Sequence, residues 1–415
     1  MKRLLWLFVL CLLLAGCEKE KTVEITESLV WETVPGVTYG VLESERLTLE
    51  PWYGGRAENV SQGTMAETEL GYYWAVGSFL RYADKVDLTN WVVVCNQPTC
   101  KHSLSWSYGE TECNASYIAN VLIRSGRIYY TVTDSVPGTK GFGEVVVSRA
   151  PDGTDYRVEY YIEEQLFGDA EGGGVSVLTP TQCLTTASKL QPDGRLWNTV
   201  YRTTAAGTEK LSDWISDDPN LMLHFHLSTY GEEAFAAWHL DDTGKTLYRF
   251  RDGELEPLSV EKETGYLSGD TMRYFLTGEG YYDRNVITGE RVFLAEPRLK
   301  NSTAFLLLPN CIVETNLYYN TLASGNGLGA IEIFDGQEWK KVALPPELEE
   351  STNIYTHSYV VTSNDIFFLA QEKPTPIQTV KDKGTYRLMG TVYRIDLTRE
   401  EWTAELCKDL WTREN

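Results

Sequence analysis

The chain has 415 residues, of which 42% are hydrophobic and 12% aromatic, and its 37 basic against 59 acidic residues give a net charge of −22. So acidic a surface repels phosphate backbones, which excludes nucleic acid as a partner, and disfavours peripheral binding to anionic lipid. Chain length alone suggests two or three ordinary domains, unless a repeated architecture adds core unit by unit.

The N-terminus carries an address. Met1-Lys2-Arg3 is basic, Leu4 to Leu14 is almost wholly apolar, and Leu14-Ala15-Gly16-Cys17 runs straight into Glu18-Lys19-Glu20-Lys21. The apolar run has the length of a signal-peptide core and is too short to span a bilayer comfortably. The tetrapeptide resembles the lipobox of bacterial lipoproteins, in which the cysteine is diacylated and becomes the first residue after cleavage. That resemblance implies a signal peptide over 1–16, lipidation at Cys17 and a charged tether over 17–29. The palmitate-type anchor would place residues 30–415 on the extracytoplasmic face of the cell membrane, since two acyl chains hold where one is marginal. The simpler alternative is an ordinary signal peptide with an incidental cysteine. Val30 to Trp52 is expected to supply a strand that closes the fold against its last unit.

A cysteine cluster follows. Cys95, Cys100, His102 and Cys113 read as C-x4-C-x-H-x10-C. Three thiolates and an imidazole form a complete tetrahedral set for structural zinc, with no position left open for catalysis. Asn96 and Pro98 suit a turn that folds the first ligand pair together. The competing readings are a disulfide, Cys95–Cys100 or Cys100–Cys113 with one thiol left over, because an exported protein sits where such bonds persist, and three unpaired thiols. Cys183, Cys311 and Cys407 are far apart and read as buried free thiols.

A unit then recurs down the chain. Val147-Ser148-Arg149 precedes Asp152-Gly153, Val200-Tyr201-Arg202 precedes Gly207, Leu247-Tyr248-Arg249 precedes Asp252-Gly253, and Val392-Tyr393-Arg394 precedes a polar turn. Each is a short strand, a tight turn and a return strand. The arginines are 53, 47 and 145 residues apart, the last being three steps of about 48. Asn285 to Phe293 and Ile331 to Trp339 fill the intervening positions, and one further step back lands on Trp91-Val92-Val93-Val94. Aromatic strands such as Gly71-Tyr72-Tyr73-Trp74 and Ile366-Phe367-Phe368-Leu369 often precede the units.

This period predicts an all-β fold, a β-propeller of seven blades, with six or eight within one blade of that count. The blades are expected at 66–95, 116–162, 175–215, 221–258, 264–294, 303–345 and 356–407. A β-sandwich with similar turns is the alternative. Val158 to Phe167 is the best short helix, Gly172-Gly173-Gly174 and Ser324 to Gly327 read as loops, Pro345 to Glu350 as a linker or helical turn, and Glu372 to Gly384 as a long loop.

The motif near residue 100, Cys95-Asn96-Gln97-Pro98-Thr99-Cys100-Lys101-His102 with Cys113-Asn114-Ala115, resembles a segment of lipoproteins of anaerobic Gram-positive bacteria. Those pair a lipobox with propeller-like repeats carrying Tyr-Arg strands, as at Tyr201-Arg202 and Tyr393-Arg394. The resemblance implies an address and a fold and brings no activity with it.

His224 and His226 alternate on one strand face, with His239 nearby, and read as solvated or packing residues more readily than as ligands. No G-x-S-x-G elbow, H-E-x-x-H, P-loop or dinucleotide fingerprint is present, so the chain reads as more a binding protein than an enzyme. The expected partner is a glycan, peptide or protein held at one mouth of the ring. The alternative is a carbohydrate-active hydrolase or lyase with carboxylates in the central channel.

Overall fold

A computed structural model describes residues 52–53 and most of 65–414, excluding 105–112, 136–141, 162–171, 217–227, 318–328, 373–385 and shorter stretches. The signal segment, Cys17, the tether, His224, His226 and the loops Ser324 to Gly327 and Glu372 to Gly384 therefore lie outside the described residues, the last loop but for Glu372.

Among the described residues, seven sheets follow one another along the chain. Each contains a four-stranded meander in which every strand pairs with its sequence neighbour. They span 65–93, 118–161, 172–216, 228–261, 265–295, 304–341 and 354–414. These spans match the seven expected blades closely. The sixth sheet gains a fifth strand, Trp52–Tyr53, and the seventh gains Ser103–Leu104.

The sheets pack in chain order. First strands of successive sheets lie side by side, Met65–Glu67 by Ile118–Arg124, Gly172–Leu178 by Ile118–Arg124, Ser228–Tyr230 by Gly172–Leu178, and Gly265–Ser268 by Ser228–Tyr230. They form the inner rim. Apolar clusters fill the seams: Tyr281 and Ala295 with Leu307, Ile312 and Phe334 between sheets five and six, and Leu306, Ile331 and Ile333 with Tyr359, Phe368 and Tyr393 between six and seven. Sheet seven meets sheet one through Phe367, Leu369, Val392, Cys407 and Leu410 against Trp74, Val76 and Trp91. The stack thus returns to its start, which makes the fold a seven-bladed β-propeller. Each seam is a local apolar core, so the chain needs no single large one.

Strand alternation decides which residues enter the seams. In Gly71–Val76 every residue is buried, as befits a strand covered on both faces. In Asp87–Val93, an outer strand, only Trp91 and Val93 are buried. The buried rings pack edge-on or stacked, Trp74 against Trp91 at 5.6 Å and Phe368 against Tyr393 at 5.5 Å.

Four expectations need correction. Of the expected closing segment, 30–51 lie outside the described residues, and its end, Trp52, pairs through Trp52–Tyr53 with Ala304–Leu307 of the sixth sheet and not with the last one. The start of the expected helix over 158–167 is strand, Arg157–Tyr161, because pairing with Val145 to Ser148 overrides a weak helical spacing. The three glycines at 172–174 belong to the strand Gly172–Leu178, on the crowded inner rim, where glycine lets backbones approach. The unit placed at Trp91 to Val94 is the fourth strand of its sheet. Its true counterpart is Phe79–Asp84, whose Arg81 lies 68 residues before Arg149. The period stretches there because the cysteine-bearing linker intervenes. Pro346–Glu349 is a short helix led by proline, as the linker reading allowed.

Candidate metal centre

The linker between the first two sheets brings Cys95, Cys100, His102 and Cys113 together, with all their ligand atoms within 4.8 Å of one another. His102 Nδ1 is 3.4 Å from Cys113 Sγ. A tetrahedral zinc with sulfur at about 2.3 Å places neighbouring ligands on the order of 3.7 Å apart. The four groups need move little to bind it. The three cysteines are buried free thiols and His102 is half-buried.

Local structure explains the convergence. The strand Asp87–Val93 ends where Val94 N–H donates to Leu80 O at 2.8 Å. Cys95 follows at once. Cys100 N–H donates to Gln97 O at 3.0 Å, closing a turn with Pro98 at its second position. His102 then adopts φ +46°, the left-handed region that histidine enters more often than most side chains do. This reversal turns its ring toward Cys113 and edge-on to Phe79 at 6.4 Å. The second half is held separately. Ser116 Oγ donates to Cys113 O at 2.8 Å, and Leu80 N–H donates to Ala115 O at 3.0 Å. Asn114 Nδ2 donates to Asn96 Oδ1 at 3.2 Å, tying the halves directly.

Arg149 ties them again. It is wholly buried, donates through one terminal nitrogen to Val94 O and through the other to Asn114 O at 2.7 Å, and stacks between Tyr130 and Tyr156 at 5.4 and 5.3 Å. One guanidinium fork thus spans both ligand-bearing segments. The sequence marked Arg149 only as a repeat position.

Electrostatics favours a cation. Hydrogen bonds from the Cys100 and Cys113 thiols draw Cys95 well below the ordinary thiol range, and the positive Arg149 adds to this. The same thiol–thiol bonds, with burial, push Cys113 far up. A cation bound here would take the place of thiol protons, since thiolate is the form that ligates metal.

Two buried carboxylates went unremarked in the sequence. Asp365 accepts from Tyr72 Oη at 2.5 Å and from Arg394 Nε at 2.6 Å, across the seam of sheets seven and one. Glu314 accepts from Tyr281 Oη at 2.8 Å and from the backbone N–H groups of Arg298 and Leu299 at 3.0 and 2.6 Å. Both are occupied by structural partners. Cys311 and Cys407 are buried free thiols, and burial pushes each up to about 12, so they are inert apolar fillers. His239 sits in the strand Ala234–Asp241, opposite Thr246.

No family model and no curated protein matches the sequence. Among solved structures, an acylaminoacyl peptidase in complex with a chloromethyl ketone is similar, at TM-score 0.46 and 8% identity over 83% of this chain and 52% of that one. A puromycin-hydrolyzing peptidase of Mycobacterium tuberculosis gives 0.39 and 11% over 83% and 50%. The β-propeller domain of the Trilobed protease from Pyrococcus furiosus gives 0.39 and 10% over 71% and 96%. The chain spans about half the length of the first two. The similar structures come from enzymes, against the expectation of a binder more than an enzyme, and no activity passes from them to this chain. At such identities the likeness is one of fold.

Proposed function

We propose that this protein is a lipid-anchored propeller on the extracytoplasmic face of the cell membrane, that structural zinc at Cys95, Cys100, His102 and Cys113 stiffens it, and that its ring recognises a glycan, peptide or protein ligand. The observation that carries the reading is the convergence of four protein ligands at a buried seam. A complete ligand set leaves no position for substrate, so the metal builds a scaffold and does not act on a ligand. A scaffold of stiff sheets with loops at its mouths suits recognition, the first step of a receptor and of a hydrolase alike. The anchor rests on Leu14-Ala15-Gly16-Cys17 and on the resemblance to lipoproteins carrying the same cysteine motif.

Elemental analysis of protein purified without chelator is the primary test. About one zinc per chain is expected, and its loss in His102→Ala and Cys113→Ser. Metal-free protein with a mapped bridge among the three cysteines would sink the metal reading. Fatty-acid labelling should mark the wild type and leave Cys17→Ala unlabelled. A glycan and peptide binding screen on the form lacking residues 1–17 then identifies the ligand class.

A further inference from the structure

We infer that the metal loop is the latch of the ring: metal at the four ligands holds the C-terminal strand Ala404–Glu414 against the first sheet. This rests on the metal reading above and adds a conformational role to it.

The ring must join its last sheet to its first. Among the described residues, no segment preceding the first sheet joins the seventh, because Trp52–Tyr53 pairs with the sixth. The seventh sheet is instead completed by Ser103–Leu104, which pairs in parallel with Arg413 and Glu414. Ser103 is the residue directly after His102. On the other side of the ligands, Lys408 Nζ donates to Trp91 O at 3.2 Å, and Leu410 and Cys407 pack with Trp91. The C-terminal strand therefore touches the chain just before Cys95 and just after His102.

A two-residue parallel pairing is too short to hold by itself. Its position depends on what fixes residues 103 and 104, and their nearest anchor is the ligand His102. Metal binding restrains the path from Trp91 to Leu104 at three points, Cys95, Cys100 and His102, and ties it to Cys113. Both docking surfaces for the last strand are then set in place. Loss of the metal frees the segment between them, and the strand loses the partner at its end.

The coupling is reciprocal, so strand docking must in turn tighten metal binding. Both directions are measurable on the chain lacking residues 1–17. Hydrogen exchange followed by mass spectrometry is compared between zinc-loaded protein and protein stripped by chelator, with zinc content measured on both. Peptides covering 404–414 should exchange about tenfold faster after stripping, and peptides of the third sheet should not change. Zinc-binding protein whose 404–414 region exchanges alike in both states overturns this inference and leaves the metal reading standing. In the second direction, truncation after Thr412 removes the strand's pairing residues. Zinc transfer to a chromophoric chelator should then be about fivefold faster, and an unchanged rate counts against the latch. A chain that takes up no zinc from added zinc sulfate removes both readings together.

Discussion

Single side chains at the seams carry the most specific consequences. Arg149 reaches Val94 O and Asn114 O with two nitrogens of one planar fork, and an ammonium cannot reproduce that geometry. Arg149→Lys is therefore expected to lower stability by about 2 kcal/mol, read from urea unfolding, with weaker zinc retention alongside. Glu314 gives a pH signature. Burial is the main cause that raises its carboxyl above the ordinary value, partly offset by bonds from Leu299, Tyr281 and Arg298. The folded state thus holds this proton more tightly than the unfolded state does. Its contribution is fully present below the unfolded value near 4.5 and is lost as pH rises through the higher folded value. Urea midpoints at pH 4 and pH 8 should show wild type losing stability relative to Glu314→Gln over that interval. The four candidate ligands were legible in the sequence because such a set needs rare residue types at short spacing. Glu314 and Asp365 were not, being two among 59 acidic residues until their partners are known.

At the scale of the strand and its turn, close backbone approach sets the limits. Gly280 begins the third strand of the fifth sheet at φ +128°, and a Cβ there would lie 2.6 Å from Ala295 O. Gly280→Ala meets both the disfavoured dihedral and a backbone atom that cannot retreat. A loss of about 2 kcal/mol or more is expected, seen as a lowered thermal midpoint. Gly126, also at positive φ, has open space around its Cβ position, so its alanine variant feels the dihedral alone and should be milder. Strands and hairpins were readable from spacing because turn residues and aromatic runs mark them locally. The unit at Trp91 to Val94 was misplaced because a fixed period cannot foresee an inserted linker. Gly172 to Gly174 read as a loop because glycine lacks strand propensity, and pairing with Thr186 to Ser188 overcame that.

At the scale of the whole ring, closure is the vulnerable step. The Tyr72–Asp365–Arg394 network joins sheets one and seven, and burial, with the bond to Asp365, raises the Tyr72 phenol far beyond titration. Asp365→Ala would leave a guanidinium and a phenol with a lost acceptor, although Asp396 remains 3.2 Å from Arg394. A cost of about 3 kcal/mol is expected in urea unfolding, with the exchange protection of 65–93 and 354–414 falling before that of the third sheet. Chelator should produce the same ordering if metal and network guard one seam.

The all-β class, a sheet count within one of seven and the four residues Cys95, Cys100, His102 and Cys113 were legible in the chain, because strand period, turn chemistry and metal-ligand spacing are all written over short stretches. The folded ring settled which edge Trp52–Tyr53 joins, what Arg149 clamps, which carboxylates are buried, and that Ser103–Leu104 completes the last sheet. Those outcomes depend on contacts between residues up to hundreds of positions apart. They are settled by the geometry of ring closure, which no local pattern encodes.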